Sequence, residues 1–202
     1  EQLITKRILD VVFSMVGLIV SSPFFVIIGL LIKCTDSGPI FYRQKRLTQG
    51  GKEFSICKFR TMIQDAEKEM GARLAAENDE RILPVGKFLR RTRLDELPQL
   101  WNILKGEMSV VGPRPERPEL AKKIEEEIPE FSYRLKVKAG LTGYAQIYGK
   151  YNTTSYDKLK LDLKYIRNYS LFLDLRLILM TPKIMFMKES TEGIMEDDAK
   201  EI

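Results

Sequence analysis

The sequence predicts a mainly helical α+β protein attached to a membrane, with one apolar segment, helices at the membrane interface and a small β-hairpin. Two observations carry most of this prediction. The run from Val11 to Ile32 contains no charged residue, and at about 1.5 Å per residue a helix of that length just crosses a hydrocarbon core of roughly 30 Å. Farther along, two β-prone segments surround Gly50-Gly51, which is the pattern of a hairpin.

Composition excludes several kinds of chemistry. A chain of 202 residues that is 44% hydrophobic can bury a core, so disorder of the whole chain is excluded. It contains no histidine, which rules out Ser-His-Asp and Cys-His nucleophile systems and His-ligated metal sites. Cys34 and Cys57 form neither a disulfide framework nor a C-x-x-C pair. The net charge of +5 suggests an anionic partner such as phosphate, nucleotide or a lipid headgroup.

The apolar segment contains Ser22-Pro23 near its middle. Proline removes a backbone donor, and neighbouring serines can bond the freed carbonyls, so a bend at this point is tolerable inside a membrane. The residues alone leave two alternatives open, a spanning helix with a kink and a re-entrant hairpin. Lys6 and Arg7 precede the segment and Lys33 follows it, so both ends suit the cytoplasmic face.

The elements that follow are predicted from local signals. A hairpin is expected from Ile40–Arg43 and Phe54–Phe59, and a polar, solvated helix is expected between Gln64 and Arg81. The next helix is predicted to begin with Asp95 as its N-cap, with Pro98 in the first turn and Lys105-Gly106 as its stop.

The second half of the chain gives weaker signals. Another helix is expected to end near Ile128, and Lys136 to Gln146 is interpreted as a glycine-containing loop that could hold an anion. Helical and strand periods compete from Tyr156 onward. Leu171 to Met187 is predicted as a helix at the membrane interface, broken near Pro182, with ordinary core packing as the alternative.

Asp95-Glu96 is the main candidate for chemistry. Viewed alone, the pair is most simply a capping aspartate and a glutamate that favours a helix N-terminus. Its surroundings change that interpretation, because Arg114 is held between two prolines downstream. Adjacent carboxylates among cations can hold Mg²⁺, and a carboxylate can also attack phosphorus. A basic cluster lies just upstream: Lys87, Arg90, Arg91 and Arg93.

Taken in order, several motifs resemble the bacterial sugar transferase family, the monotopic phosphoglycosyl transferases, over about residues 4 to 187. The chain looks like the catalytic part of a longer member. The matching motifs are Lys6-Arg7 with Asp10, Ser22-Pro23 in the apolar run, Lys58-Phe59-Arg60-Thr61-Met62, Leu94 to Leu100, Met108 to Pro115, Gly140 to Gln146, and Leu173-Asp174.

The resemblance implies a reaction in which a UDP-sugar gives its sugar 1-phosphate to undecaprenyl phosphate and UMP is released. Asp95 would be the nucleophile that forms a covalent phosphosugar intermediate, and Glu96, with Asp95, would hold Mg²⁺. Contacts to substrate phosphates would come from Lys58, Arg60, Arg90, Arg114, Lys138 and Lys150.

The resemblance also implies an arrangement at the membrane. Residues 1–33 would form a re-entrant membrane helix that breaks at Ser22-Pro23, residues 34–187 a catalytic domain, and residues 188–202 a mobile acidic tail. The site would face the cytoplasm at the bacterial inner membrane, in contact with the phospholipid bilayer. Formation of a homo-oligomer is left open.

Two other functions compete with the enzyme. A non-catalytic module could use the basic cluster to bind anionic lipid at the membrane surface. Nucleic-acid binding is weaker, because acidic residues are interspersed and the apolar segment has no role in it. The sequence does not specify which sugar is used.

Overall fold

The mainly helical α+β class is confirmed in the computed structural model of the chain, which describes residues 2–64, 66, 79–149 and 153–185. Short 3₁₀ segments lie at Gln49–Gly51, Leu94–Glu96 and Pro129–Lys136. The helices and strands, in chain order, are α1 (Gln2–Thr35), β1 (Phe41–Leu47), β2 (Glu53–Phe59), α2 (Pro84–Thr92), α3 (Gln99–Lys105), β3 (Ser109–Val111), α4 (Pro118–Glu127), β4 (Gly140–Thr142), α5 (Tyr144–Tyr148), α6 (Ser155–Arg167) and α7 (Leu171–Met185).

The apolar segment forms one helix, α1, that continues through Pro23. In a regular helix the residue at this position would donate its N–H to the carbonyl of Ile19, and proline has no N–H to give. Ser22 compensates, since its Oγ donates to that carbonyl at 2.8 Å. Ser21 likewise bonds to the carbonyl of Gly17 at 2.6 Å. Ser22 therefore satisfies the carbonyl that proline frees. The helix is continuous in this structure, and the re-entrant hairpin stays a prediction.

Within the described residues, α1 is the one helix long and apolar enough to cross a membrane, judged by length and composition. Only 22% of its most apolar stretch is buried against the rest of the chain. Large apolar side chains such as Ile19, Val26 and Leu30 are exposed. A core helix of a soluble protein would be mostly covered, so this exposure favours contact with lipid.

The first turns of α1 are fastened to the rest of the chain by charged side chains. Lys6 Nζ donates to Asp174 Oδ2 in α7 at 2.6 Å. Arg7 donates to the carbonyls of Ile103 and Leu104 at 2.7 Å each, and these carbonyls lie in the last turn of α3, where helices lack internal donors. The basic pair at the start of the chain thus ties α1 to α3 and α7.

Asp10 fastens the same helix to β3. Its Oδ1 accepts a hydrogen bond from Ser109 Oγ at 3.0 Å and another from the backbone N–H of Val110 at 2.9 Å. At the other end of α1, Ile28 and Ile32 are buried in an apolar cluster with residues of β2 and α2. Both ends of the helix therefore pack against the body of the protein.

The predicted β-hairpin is confirmed. β1 and β2 pair antiparallel from Phe41 opposite Phe59 to Leu47 opposite Glu53. Gly50 and Gly51 in the connecting turn have φ of 71° and 73°, a left-handed conformation that glycine adopts at little cost. The end of β2 that carries Lys58 faces the start of β1, close to the end of α1.

The interpretation of Lys136 to Gln146 as a loop is wrong. The segment contains β4, which pairs parallel with β3, and the start of α5. A Cβ on Gly140 would lie 2.1 Å from the backbone N of Gly112, and one on Gly143 would lie 2.1 Å from the carbonyl oxygen of Gly112. These glycines allow close approach of two backbones, and the pairing joins positions about thirty residues apart, which local pattern does not predict.

The helix expected to begin at Asp95 begins later. α3 starts at Gln99 with Pro98 before it, and Asp95 lies in the separate 3₁₀ turn. The predicted stop is confirmed, because Gly106 has φ of 88° and its N–H bonds back to the last turn.

The long element at the C-terminal end consists of two helices, α6 and α7. α7 continues through Pro182 to Met185, so the predicted break there is wrong. Leu177 is fully buried in the main core, whereas Phe172 and Leu179 are exposed. α7 thus combines core packing on one face with an uncovered apolar face, and its position at a membrane interface stays a prediction.

Two predicted segments lie largely or wholly outside the described residues. The polar helix between Gln64 and Arg81 is one of them, and residues 188–202, predicted as an acidic tail, are the other.

Candidate active site

The two candidate carboxylates are presented by a tight turn. Arg93 ends α2 in the left-handed conformation, with φ of 53°, which a residue with a Cβ adopts at a cost of about 1–2 kcal/mol. The 3₁₀ turn that follows contains Asp95 and Glu96, and its neighbours Leu94 and Leu97 pack into the apolar cluster beneath. Both carboxylates are consequently nearly buried, at 9% and 8% exposure.

Glu96 accepts hydrogen bonds from two cations. Lys58 Nζ at the end of β2 lies 2.8 Å from Glu96 Oε1, and Arg114 NH2, in the segment after β3, lies 3.1 Å from the same oxygen. The Arg114 side chain is still 44% exposed. Three motifs far apart in the sequence are therefore brought together, and one of the two cations remains accessible to a ligand.

The surroundings move the pKa values of the two carboxyls in opposite directions. Burial, and then the charge of Glu96, raise the pKa of Asp95 to about 6, against the opposing effect of Lys58. Burial alone would also raise the pKa of Glu96, but Lys58 and Arg114 outweigh it and hold that pKa below its ordinary value. Neighbouring carboxyls whose pKa values are pushed apart are typical of active sites.

Asp95 has no such direct partner. Among the residues that the structure describes, none donates a hydrogen bond to its carboxylate or forms an ion pair with it. Arg90 influences it electrostatically, while Arg90 Nε donates to Thr61 Oγ1 at 2.9 Å. Within the described part of the chain, Asp95 is thus surrounded by cations but bonded to none of them, so its oxygens accept no hydrogen bond from those residues.

The remaining predicted phosphate contacts lie elsewhere or outside the described residues. Arg60 is almost fully buried and pairs with Asp36, just after α1. Lys138 lies near the end of α3, with its Nζ 3.7 Å from the position that a Cβ on Gly106 would take and with Arg7 nearby. Neither residue contacts Glu96, and Lys150 falls outside the described residues.

Arg93 joins the site although no phosphate role was expected of it. Its charge helps to lower the pKa of Glu96. In the sequence it belongs to the basic cluster upstream, where contact with lipid headgroups was the competing interpretation. Its place three residues before Glu96 is the signal that could have identified it, because one turn of a 3₁₀ segment brings such residues together.

The carboxylates fit a magnesium ion. Mg²⁺ is commonly held by one or two carboxylates together with substrate phosphates and water. Lys58 and Arg114 both bond Oε1 of Glu96. They donate no hydrogen bond to Oε2 of Glu96 or to Asp95. The described residues hold no cluster of three or more metal-ligating side chains, so phosphate and water would complete the coordination.

Comparison with known proteins gives related sequences along most of the chain. A family profile described as bacterial sugar transferase matches residues 1–188. The UDP-N-acetylgalactosamine-undecaprenyl-phosphate N-acetylgalactosaminephosphotransferase of Aeromonas hydrophila is 38% identical over 179 residues, which are 87% of this chain and 42% of the relative. The UDP-glucose:undecaprenyl-phosphate glucose-1-phosphate transferase of Klebsiella pneumoniae is 40% identical over 193 residues, 93% of this chain and 41% of the relative.

A third relative is shorter. The putative undecaprenyl-phosphate N-acetylgalactosaminyl 1-phosphate transferase of Bacillus subtilis is 48% identical over 130 residues, which are 64% of this chain and 72% of the relative. The chain thus spans about two fifths of the two longer relatives and most of this one. Since the family profile covers nearly the whole chain, the protein belongs to the bacterial sugar transferase family.

Proposed function

We propose that this protein moves a sugar 1-phosphate from a UDP-sugar to undecaprenyl phosphate and releases UMP, as the first membrane step in the synthesis of an exopolysaccharide, capsule or glycan. The names of the relatives support the donor and acceptor classes. The observation that carries the proposal is the contrast between Glu96, bonded by two cations, and Asp95, which no described residue bonds.

In the first step, an oxygen of ionised Asp95 attacks the phosphorus that bears the sugar. A bond forms between that oxygen and phosphorus, and the bond from phosphorus to the bridging oxygen of UMP breaks. UMP leaves with the electron pair. In the second step, an oxygen of undecaprenyl phosphate attacks the same phosphorus, the Asp95 carboxylate is released, and the lipid carries the sugar diphosphate.

The cations around the turn suit a reaction that is mostly electrostatic. Phosphoryl transfer depends on positioning and on neutralising charge that spreads over the phosphate oxygens. Arg114 is accessible, and Lys58 and Arg90 act on Asp95 through their charge. Attack by an ionised carboxylate requires no general base, so the absence of histidine is no obstacle.

Asp95 and Glu96 would hold Mg²⁺ against the diphosphate. The ion, when bound, neutralises negative charge on the phosphate oxygens and on the departing UMP. Glu96 keeps Oε1 on Lys58 and Arg114 while Oε2 remains for the metal. The chain's own contribution is to keep Glu96 ionised through its two cation partners.

We propose further that α1 bends at Ser22-Pro23 in the membrane and forms a re-entrant hairpin with both ends at the cytoplasmic face of the inner membrane. Lys6 and Arg7 near its start and Lys33 near its end are charged, and positive charge favours the cytoplasmic side. Ser22 already satisfies the carbonyl that Pro23 frees, so a bend at this point leaves no acceptor unpaired. This anchor brings the site to the height of a lipid phosphate.

The decisive experiment compares Asp95→Asn with wild type in UMP release from UDP-N-acetylgalactosamine or UDP-glucose, with undecaprenyl phosphate and Mg²⁺. The variant should lose release by about a thousandfold or more, as expected when a nucleophile is removed. Intact mass of rapidly quenched wild type should show the added phosphosugar. Glu53→Gln, which removes an exposed carboxylate of the hairpin, is the matched control. Undiminished release by Asp95→Asn would exclude Asp95 as nucleophile.

A further inference from the structure

The segment Pro113–Glu116, which carries Arg114, is held in place by hydrogen bonds from other parts of the fold. Its two prolines have no N–H, so it cannot build regular hydrogen bonding of its own. Each of its four carbonyls nevertheless accepts a hydrogen bond from another element. The donors, in the order of the carbonyls, are Gly140 N at 2.9 Å, Arg134 NH2 at 2.8 Å, Arg46 NH1 at 3.1 Å and Leu47 N at 2.9 Å.

Arg134 is the donor that bonds the carbonyl of Arg114 itself. It lies in the 3₁₀ segment before β4 and is only 4% exposed. Its guanidinium carbon lies 4.7 Å from the centre of the Phe131 ring, a distance typical of cation–π contact. The side chain is therefore fixed by packing as well as by hydrogen bonds.

Asp162 of α6 aligns the guanidinium of Arg134. Arg134 Nε donates to Asp162 Oδ2 at 3.0 Å, and NH2 lies 2.8 Å from the same oxygen. Asp162 is 1% exposed, and its Oδ1 has no hydrogen-bond partner among the described residues. Glu116 lies 3.5 Å from Arg134 NH1. A single buried cation is thus shared by two carboxylates and one carbonyl.

Burial of this ion pair is an inefficient way to stabilise the fold. Two charges lose their hydration on burial, and such pairs are often no more stabilising than apolar residues of the same size. What the pair does supply is direction, since a guanidinium presents donors in a rigid fork and can serve an acceptor on each side at once. Here NH2 bonds both Asp162 and the carbonyl of Arg114, Nε bonds Asp162 a second time, and NH1 faces Glu116.

We propose that Arg134, aligned by Asp162, is a positioning residue that fixes the backbone of Arg114 so that its guanidinium meets the phosphates of the donor. Arg134 itself does not touch substrate. The inference rests on the proposed function, because it gives Arg114 a phosphate to bind. A lysine at position 134 keeps the charge, but its single nitrogen cannot replace the contacts of Nε with Asp162 and of NH1 with Glu116, so the effect should depend on shape as well as on charge.

The test measures KM for the UDP-sugar and the affinity for UDP in wild type, Arg134→Lys, Arg134→Ala and Asp162→Asn. Each variant should raise KM and weaken UDP binding by about tenfold, the equivalent of one hydrogen bond to a charged group, with Arg134→Lys milder than Arg134→Ala. Lys160→Ala, on the exposed side of the same helix as Asp162, should change neither. If Arg134→Ala does not fold, Arg134→Lys and Asp162→Asn carry the test.

A double variant separates positioning from a merely structural role. If Arg134 acts through Arg114, Arg114→Ala together with Arg134→Lys should bind UDP no more weakly than Arg114→Ala alone. Additive losses would overturn the proposal, and so would unchanged KM and UDP affinity in the single variants. Failure of wild type to release UMP would refute the proposed function instead, while UDP affinities would still decide whether Arg134 positions Arg114.

Discussion

Asp95 and Glu96 are neighbours in one buried turn, yet Lys58 and Arg114 both bond Glu96 and no described residue bonds Asp95. The difference divides their roles. Glu96 is held ionised by its partners, and Asp95 is left with a pKa raised to about 6. A group that must react benefits from such freedom, whereas a group that must hold charge in place benefits from bonded partners.

The first prediction concerns pH. Only ionised Asp95 attacks phosphorus, and burial together with Glu96 raises its pKa to about 6. Single-turnover UMP release without lipid acceptor, whose own phosphate titrates, should be measured at donor concentrations well below KM so that it reports the free protein. It should fall about tenfold per pH unit below pH 6 and level off above about pH 7. Quenched-flow measurement from pH 5 to 8 checks this. A flat profile across that range would show that ionisation of Asp95 does not limit the step.

The second prediction is that Asp95→Asn stabilises the fold at neutral pH. The pKa of this carboxyl is higher in the folded state than in the unfolded chain, so stability falls as pH rises from about 4, where the unfolded chain ionises, to about 6, where the folded carboxyl ionises. Removing the charge should raise the free energy of unfolding at pH 7.5 by up to about 3 kcal/mol. The gain should vanish near pH 3, below the pKa of about 4 that the carboxyl has in the unfolded chain, because it is then protonated in both states. Chemical unfolding in detergent at both pH values measures it.

The third prediction is that Glu96→Gln, unlike Asp95→Asn, lowers the free energy of unfolding at neutral pH. The pKa of Glu96 is held below its ordinary value, chiefly by Lys58 and Arg114 against the effect of burial, so its charge stabilises the fold above about pH 4 and this contribution is lost as pH falls further. The substitution leaves both cations without their carboxylate and should cost about 3 kcal/mol at pH 7.5. The same unfolding series checks it, and a stabilised Glu96→Gln would contradict the assigned ion pairs.

The fourth prediction addresses the hairpin. With Leu3→Cys and Cys57→Ser, an impermeant maleimide should label position 3 and the exposed Cys34 from the same side of inner-membrane vesicles. Pro23→Ala restores a backbone donor for the carbonyl of Ile19, which favours a straight helix and labelling from opposite sides. Labelling from opposite sides in the protein with Pro23 intact would rule out a re-entrant anchor.

The fifth prediction compares two glycines. A Cβ at position 140 would lie 2.1 Å from the backbone N of Gly112, so Gly140→Ala forces β3 and β4 apart and should cost about 3 kcal/mol. Gly50 has φ of 71° and open space around it, so Gly50→Ala should cost only about 1 kcal/mol. Thermal unfolding of both variants measures the difference. Equal losses would mean that crowding between the strands is not what requires Gly140.

Local chemistry explains which elements were predicted correctly. The turn at Gly50-Gly51, the stop at Gly106 and the apolar length of α1 each depend on residues adjacent in sequence. The pairing of β3 with β4 depends on glycines that matter only once distant backbones meet. Nothing near those residues in the sequence indicates such a meeting.

The candidate site likewise combines features that local sequence predicts with features that depend on distant contacts. The sequence places Asp95 and Glu96 together and marks nearby cations, but charge alone does not say which cation faces which carboxylate. Lys58 and Arg60 are two residues apart in one motif, yet one bonds Glu96 and the other pairs with Asp36. Alternation along a strand would place residues two apart on the same face, but β2 ends at Phe59 and Arg60 lies beyond it, so the two side chains meet different neighbours. Only the fold supplies that information.

The bonds from Lys6 to Asp174 and from Arg7 to the end of α3 bear on how this protein can be re-engineered. Because the first turns of α1 are structural parts of the body, the anchor is not a detachable module that ends at residue 33. A chimera with a foreign anchor should keep Lys6 through Asp10 and the buried Ile28 and Ile32, and exchange only the exposed side chains between them. Replacement of the whole of α1 would remove the side chains that tie this helix to α3, β3 and α7 along with the anchor.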